Sequence, residues 1–513
     1  MRLDFATAPH PLAEHVMVKF AHRFSLLVGL SAAGYVLSFC SQLVISYYFG
    51  TSSELDAYWA GLAMVNVLCF YLYPLRESLV PALHRARQVS LLQAGRLFSA
   101  GLSLLALLVV VSSLFLWEFS STFALWVGQT SDPRMANEIV HLIPWLIPYM
   151  GLFVLSETMT AVLLSLDRSV FHAVVRIVGS AVLLTMLVGF GARLGIPALV
   201  LAQVASMATL VVMYCVVLRM LRLRLVSGFV QLLREGGVFP LFLSLLGSYL
   251  LSQLYVLGER AAMMHLSGGL VSAFQYSVSL VNVMLSIVAI PLANLLWPRF
   301  LANVEMQDVS LNIELAARAA GWLFMTLTVV CAFVWVHAEE IVFVLFSRGA
   351  FDAVSSERTV GALRATIFAA VPIGVMTIFG RLLMSQENGH SQIAIGIATT
   401  VVGLTVIGVA VLWESVVLVQ WHWFAANTAG LIVSLVASVR RYSLSPAVLL
   451  RCGRWVMFVV GAVWCAVALT PSIEIGDSKL LYATALGIQG VIYLAIAAGI
   501  AWAFGVLRSL QAA

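Results

Sequence analysis

The sequence predicts an all-α, polytopic membrane protein of about 14 transmembrane helices. Three observations carry the prediction. Hydrophobic residues make up 62% of the 513 and charged residues 10%, whereas a soluble chain is about one-quarter charged. Apolar runs of about 20 residues, enough to cross a bilayer, follow one another along the chain. Lys and Arg gather in alternate connections between those runs.

Residues 1–23 carry Asp4, Glu14, Lys19, Arg23 and three histidines. They lack the apolar core and cleavage site of a signal peptide, so they read as a cytoplasmic N-terminal segment. The first apolar run begins near Phe24. Six runs follow at 24–49, 55–83, 97–117, 139–165, 170–192 and 197–219, a lobe over 24–220. A basic linker, 221–237, leads to runs at 238–266, 270–297, 319–338, 361–385, 391–413 and 417–439, a second lobe over 238–441. Runs at 452–470 and 480–507 add two helices and a tail within 442–513. In lipid such helices satisfy their own backbone hydrogen bonds.

With the N-terminus placed in the cytoplasm, 19 of the 28 Lys and Arg fall in inner segments and 7 in the outer half; Arg76 and Arg176 lie within helices. That bias predicts an inner-membrane protein with both termini cytoplasmic. The net charge of +5 follows this topology and gives no case for nucleic acid.

The six cysteines lie in or beside apolar runs without a CxxC. They predict small apolar filling, not a disulfide or zinc framework. No HExxH, Walker A loop or dinucleotide fingerprint occurs, so no metal, cofactor or ATP-driven chemistry is expected.

The chain echoes itself. Asp56-Ala57-Tyr58 aligns with Ser272-Ala273-Phe274, and Val65-Asn66-Val67 with Val281-Asn282-Val283, both at an offset of 216. One residue of slippage later, Pro74 and Pro81 match Pro291 and Pro298. Two like-oriented six-helix lobes are a transporter plan, with the substrate between them. Asn66 and Asn282 then face a shared cavity or bond across helices.

At these residues the chain resembles the MurJ/MviN lipid II flippase family of the multidrug/oligosaccharidyl-lipid/polysaccharide exporter superfamily. The stretch FGTSSELDAYWAGLAMVN, Phe49 to Asn66, is similar to that family's first loop and second helix. Ser267-Gly268, Val271-Ser272, Tyr276 and Trp297-Pro298-Arg299 resemble its eighth helix, and Phe346 to Phe351 with Ala362-Leu363-Arg364 its next outer loop. The resemblance covers most of 24–440, and the two extra C-terminal helices suit it. Family arginines are replaced here by residues such as Tyr35, Ser41, Cys69, Phe70 and Ser279. The usual cationic places are thus largely vacated, which bears on which saccharide is carried.

An ionised group at bilayer depth costs about 2.5–3.5 kcal/mol on insertion scales, so each one needs a cavity or a partner. Arg76 is two turns beyond Cys69; it either binds phosphate through its guanidinium fork or reaches the inner headgroups. Glu77 forms a helical stripe with Trp59, Asn66 and Tyr73 that suits sugar binding or packing around a Pro74 kink. Glu259-Arg260 reads as a cavity pair or a local ion pair. Asp56 caps its own helix or closes an outer gate. Arg176, Glu157 and Arg381 are weaker candidates, and His172 and His265 read as packing residues.

The resemblance implies a transporter, not an enzyme. Its substrate is an undecaprenyl-pyrophosphate-linked saccharide, either a lipid II-like peptidoglycan precursor or an exopolysaccharide or O-antigen repeat unit. Alternating access would carry it from the inner to the outer leaflet. Implied partners are that substrate, membrane lipids and proteins of glycan synthesis or polymerisation, around a monomer. A drug or cation antiporter of the same superfamily is the alternative. A glycan polymerase or ligase is a third reading, against which the outer connections stand as short and without a His/acid centre.

Overall fold

The structure, a computed structural model, describes residues 11–127, 133–165, 169–220, 238–305, 309–385, 389–442, 483–491 and 493. Among the described residues every element is helical. The first set comprises α1 (Pro11–Phe49), α2 (Ser53–Leu68), α3 (Leu72–Val89), α4 (Leu91–Val127), α5 (Pro133–Ser165), α6 (Ser169–Leu194) and α7 (Ile196–Met220). The second comprises α8 (Val238–Leu266), α9 (Leu270–Glu305), α10 (Val309–Val336), the short α11 (Ala338–Phe346), α12 (Ala353–Thr366), α13 (Ala370–Met384), α14 (Gly389–Leu412) and α15 (Val416–Tyr442).

Among the described residues ten helices are long and apolar enough to cross a membrane, or eleven when α2 and α3 count as one span. The expected fourteen is therefore not reached among the described residues. The linker 221–237 and run 452–470 lie outside them, as does most of 480–507.

The first helix extends back to Pro11, so the apolar run from near Phe24 lies within it. The run 361–385 lies in one candidate span, Ala353–Met384, which passes through a 3₁₀ turn at Ile367–Ala369 between α12 and α13. One expectation needs correction. The run 55–83 breaks into α2 and α3, bent by 49°. Pro74 has no N–H for the carbonyl of Phe70, and its ring crowds that carbonyl. The backbone there tightens into three-residue bonds, Phe70 N–H to Val67 O at 3.2 Å and Leu72 N–H to Cys69 O at 2.9 Å. The matching helix α9 runs unbroken through Pro291 and Pro298, so the proline echo does not give two like helices.

The packing order nevertheless recurs. In the first set α1 packs on α6, α6 on α7, α7 on α5, and α5 on α4. In the second, α8 packs on α14, α14 on α15, α15 on α13, and α13 on α10. Between the sets the partners are exchanged: α1 lies against α9, and α2 and α3 lie against α8. That is the pattern of two pseudo-symmetric halves. Outward positions stay apolar, as at Leu107, Val110, Leu114 and Trp117 of α4, which suits lipid contact.

Candidate functional site

Among the contacts between the halves, two polar junctions stand out, one at the start of α2 and one in the first turns of α3. At the first, Asp56 is fully buried at the start of α2. It does not cap its own helix; the Ser52 side chain does that, accepting from Leu55 N–H. The Asp56 carboxylate instead accepts from Gly269 N–H at 2.7 Å, Ser272 N–H at 2.8 Å and the Ser272 hydroxyl. It therefore caps α9 of the other half, where the helix dipole favours a negative charge. Around it, the Tyr276 hydroxyl donates to Gly50 O at 2.6 Å. The Thr51 hydroxyl donates to Ser355 Oγ at 2.9 Å, and Ala350 N–H to Tyr47 O at 2.8 Å. Gly50 and Gly269 both have positive φ, 53° and 81°, and a Cβ on either would collide with backbone of the opposite half.

At the second junction, the Tyr249 hydroxyl of α8 donates to Glu77 Oε1 of α3 at 2.7 Å. The Tyr249 ring stacks on Tyr73, centroids 5.9 Å apart and planes 17° from parallel. A polar and an aromatic contact thus converge on one residue of the second half.

Behind Tyr73 lies a charged cluster within the first half. The Arg76 guanidinium sits 5.0 Å from the Tyr73 ring centre and pairs with Glu157 of α5, Nη1 to Oε2, at 2.6 Å. Arg176 of α6 approaches the other Glu157 oxygen at 3.9 Å, with its side chain 63% exposed. Two guanidinium groups share one carboxylate, so one positive charge is left over. Arg76 is thus not alone; Glu157 holds it.

The second half has its own buried cluster. Glu259 Oε1 lies 3.4 Å from Arg260 Nη1, and Glu259 Oε2 lies 2.8 Å from His422 Nε2 of α15. Arg260 Nη2 donates to Gln275 Oε1 of α9 at 2.9 Å, and its guanidinium lies over Phe274 at 5.7 Å. Arg381 lies 5.2 Å from the Trp297 ring.

The expected residues are thus brought together only in part. Tyr73 and Glu77 meet at Tyr249. Trp59 is buried, one break of helix away, so the stripe of Trp59, Asn66, Tyr73 and Glu77 is interrupted at residues 69–71. Asn66 is half-buried and Asn282 exposed. His172 contacts the Tyr214 hydroxyl at 2.8 Å. Sequence reasoning missed Tyr249, Ser272 as a partner of Asp56, and His422. A lone histidine in the apolar run 417–439 was the available signal for the last. Among the described residues no group of three His, Cys, Asp or Glu is placed to hold a metal ion.

A solved structure described as a lipid II flippase MurJ in an inward closed conformation is similar over 94% of this chain and 99% of its own, with TM-score 0.75 and 12% identity. An inward-facing multidrug resistance MATE family transporter of the MOP superfamily is similar over 82% and 98%, with TM-score 0.67 and 14% identity. The Vibrio cholerae MATE transporter VcmN, in its bent form, is similar over 85% and 99%, with TM-score 0.58 and 14% identity. These identities speak for the fold alone. No match was found among curated proteins. The family model described as lipid II flippase MurJ matches residues 45–504. That span is most of the sequence, and it includes both junctions and both charged clusters: the chain belongs to the MurJ lipid II flippase family, whose members are transporters of a lipid-linked precursor.

Proposed function

We propose that this protein flips an undecaprenyl-pyrophosphate-linked saccharide from the inner to the outer leaflet of the plasma membrane by alternating access. The lobes are 24–220 and 238–441, both termini are cytoplasmic, and Asp56 marks the outer end. The observation that carries the reading is the Arg76–Glu157–Arg176 cluster, set behind the Tyr73–Tyr249 contact between the halves. Two guanidinium forks against one carboxylate leave room for a second anion, and guanidinium suits phosphate oxygens bidentately. The resemblance implies that the family's usual cationic positions are largely vacated in this chain, and the cluster supplies cations elsewhere. Parting of the Tyr73–Tyr249 stack as the halves move would turn these aromatic faces and the Glu77 carboxylate to a sugar, for stacking and hydroxyl contacts.

The reading is tested with purified protein in liposomes carrying a fluorescent lipid II analogue or a pyrophosphate-linked repeat unit without peptide. Arrival in the opposite leaflet is followed by quenching from outside. Movement of either lipid, without ATP, supports the flippase reading and identifies the saccharide class. Failure to move both, with cationic dyes moved instead, would transfer the protein to the antiporter reading.

A further inference from the structure

A cavity of about 370 Å³ opens beside the Asp56 junction, within the range of small-molecule sites, roughly 300–1,000 Å³. Both halves build it. The end of α1 and the turn into α2 supply Tyr48, Thr51 and Glu54. The segment entering α12 supplies Asp352, Ser355 and Arg358. It borders the contacts that close this end: the Thr51 hydroxyl donates to Ser355 Oγ at 2.9 Å, and Ala350 N–H donates to Tyr47 O at 2.8 Å. With walls from both halves, the cavity exists only while the halves meet here.

Three of its lining side chains are charged. Glu54 and Asp352 are exposed and Arg358 is half-buried. Among the described residues none of the three forms an ion pair. Asp352 Oδ1 accepts from Ser355 N–H at 2.8 Å as the cap of α12. A carboxylate has about four acceptor positions, so capacity remains. Glu54 lies in the first turn of α2, yet Ser52 caps that helix. Arg358 is set at the seam: a Cβ on Gly269 would collide with both Arg358 Nη1 and the Thr51 carbonyl oxygen. The guanidinium therefore lies where α12, the turn into α2 and the entry to α9 converge. A single exposed charge at a loop is ordinarily left to water. Charges of both signs, unpaired in one cavity between two moving bodies, offer a ligand a complement.

The charge count selects the ligand. Two carboxylates and one guanidinium are matched by two cationic groups and one carboxylate. A lone anion would meet the two acids, and a metal ion would meet the guanidinium. Asp352 and Arg358 stand six residues apart, about 9 Å along the helix axis, so a ligand spanning them needs opposite charges at separated ends. The guanidinium fork suits a carboxylate. The Tyr48 hydroxyl donates to Val188 O at 3.3 Å, which leaves its ring to cover an apolar stem. A basic amino acid carries all of these parts and is small enough for the space.

We propose that this cavity binds a basic amino acid from the outer side and that the bound ligand holds the two halves closed at this end. A ligand that binds only the closed form draws the equilibrium toward it, so occupancy slows transport. The proposal rests on the flippase reading for orientation and for the process that is slowed, though not for the site itself.

Two measurements test it. The first is melting of the detergent-solubilised protein, at matched ionic strength, with L-lysine, norleucine, cadaverine or calcium chloride. Norleucine lacks the side-chain ammonium and cadaverine lacks the carboxylate. Exposed ion pairs are individually weak, so lysine should raise the wild-type melting temperature at millimolar concentration, and added salt should erode the gain. Norleucine and cadaverine should need several-fold more. Arg358→Gln and Glu54→Gln should melt as the wild type does without ligand and should each lose most of the lysine response. Arg358→Lys should keep part of it, since the charge remains and the fork is lost. A response to calcium alone, equal responses to lysine, norleucine and cadaverine, or a lysine response kept in both glutamine variants overturns the site.

The second measurement follows a fluorescent lipid II analogue in liposomes with lysine on both sides of the membrane. Saturating lysine should slow the wild type several-fold and leave Glu54→Gln unaffected. Undiminished wild-type transport, with the melting response intact, overturns the closure and keeps the binding site. Absence of lipid movement with or without lysine, with the melting response intact, supports the site and removes the flippase reading.

Discussion

The Asp56 carboxylate accepts the backbone N–H of Ser272 at 2.8 Å, across the boundary between the two halves and with no exposure to solvent. A charged capping bond of this kind contributes about 1.5–3 kcal/mol. It exists only while the two halves are closed together at this end. Its strength therefore sets how often that end opens.

A disulfide should report that closure directly. The Thr51 and Ser355 hydroxyl oxygens lie 2.9 Å apart across the same boundary, close enough for Thr51→Cys and Ser355→Cys to bridge with small adjustments. Oxidation of this double variant should arrest transport, and reductant should restore it. Adding Asp56→Ala should lower the cross-linking rate by roughly tenfold, since each 1.4 kcal/mol lost is a factor of ten. An unchanged rate would mean that Asp56 does not hold the junction.

The opposite junction should move the same readout the other way. Tyr249→Phe removes the hydroxyl that donates to Glu77 and keeps the ring that stacks on Tyr73. One such bond to a carboxylate is worth about 1.5–3 kcal/mol. Loosening it should favour states closed at Asp56, so the Thr51→Cys/Ser355→Cys pair should cross-link faster. Slower cross-linking would show that the two ends do not compete.

Arg76 separates recognition from anchoring. Arg76→Ala should abolish transport at matched membrane levels. Arg76→Lys should restore it only in part, because an ammonium does not reproduce the fork that faces Glu157 at 2.6 Å. Glu157→Gln should tighten binding of the pyrophosphate lipid several-fold, since the competing charge is gone. A simple headgroup anchor predicts that Lys equals Arg and that Glu157→Gln is silent. Complementation and lipid-binding titrations with the three variants decide.

Periodicity and composition made the helical class and the like-ordered halves legible, because both are written in runs of apolar residues. The break at residues 69–71 was less legible: Pro74 is visible in the sequence, yet Pro291 in the echoing helix causes no break. A proline removes one bond, but tertiary packing decides whether the helix survives it. Asp56 stood out as an acid at a helix mouth. Its partner did not, because a capping bond 216 residues away in sequence leaves no local pattern. Arg76 and Arg176 were visible as charges within apolar runs, and Glu157 as another, but their convergence depends on how α3, α5 and α6 pack. His422 was hidden for the same reason: its meaning comes from Glu259, on a different helix.

The glycines at the Asp56 junction give a sharp stability test, because two neighbours differ completely. A Cβ at Gly269 would meet the Thr51 backbone oxygen at 2.5 Å, and the residue has φ 81°, a conformation L side chains rarely adopt. A Cβ at Gly268 meets nothing within 4 Å. Gly269→Ala should therefore push the halves apart and strain the entry to α9. Cross-linking of the Thr51→Cys/Ser355→Cys pair and melting temperature should fall together. The strain alone is of order 1 kcal/mol or more. Gly268→Ala should leave both unchanged within error. If both variants behave alike, the close approach of Thr51 to α9 is not what holds this end. If Gly269→Ala lowers cross-linking but not melting, the collision acts on closure alone, and the lobes themselves are indifferent to it.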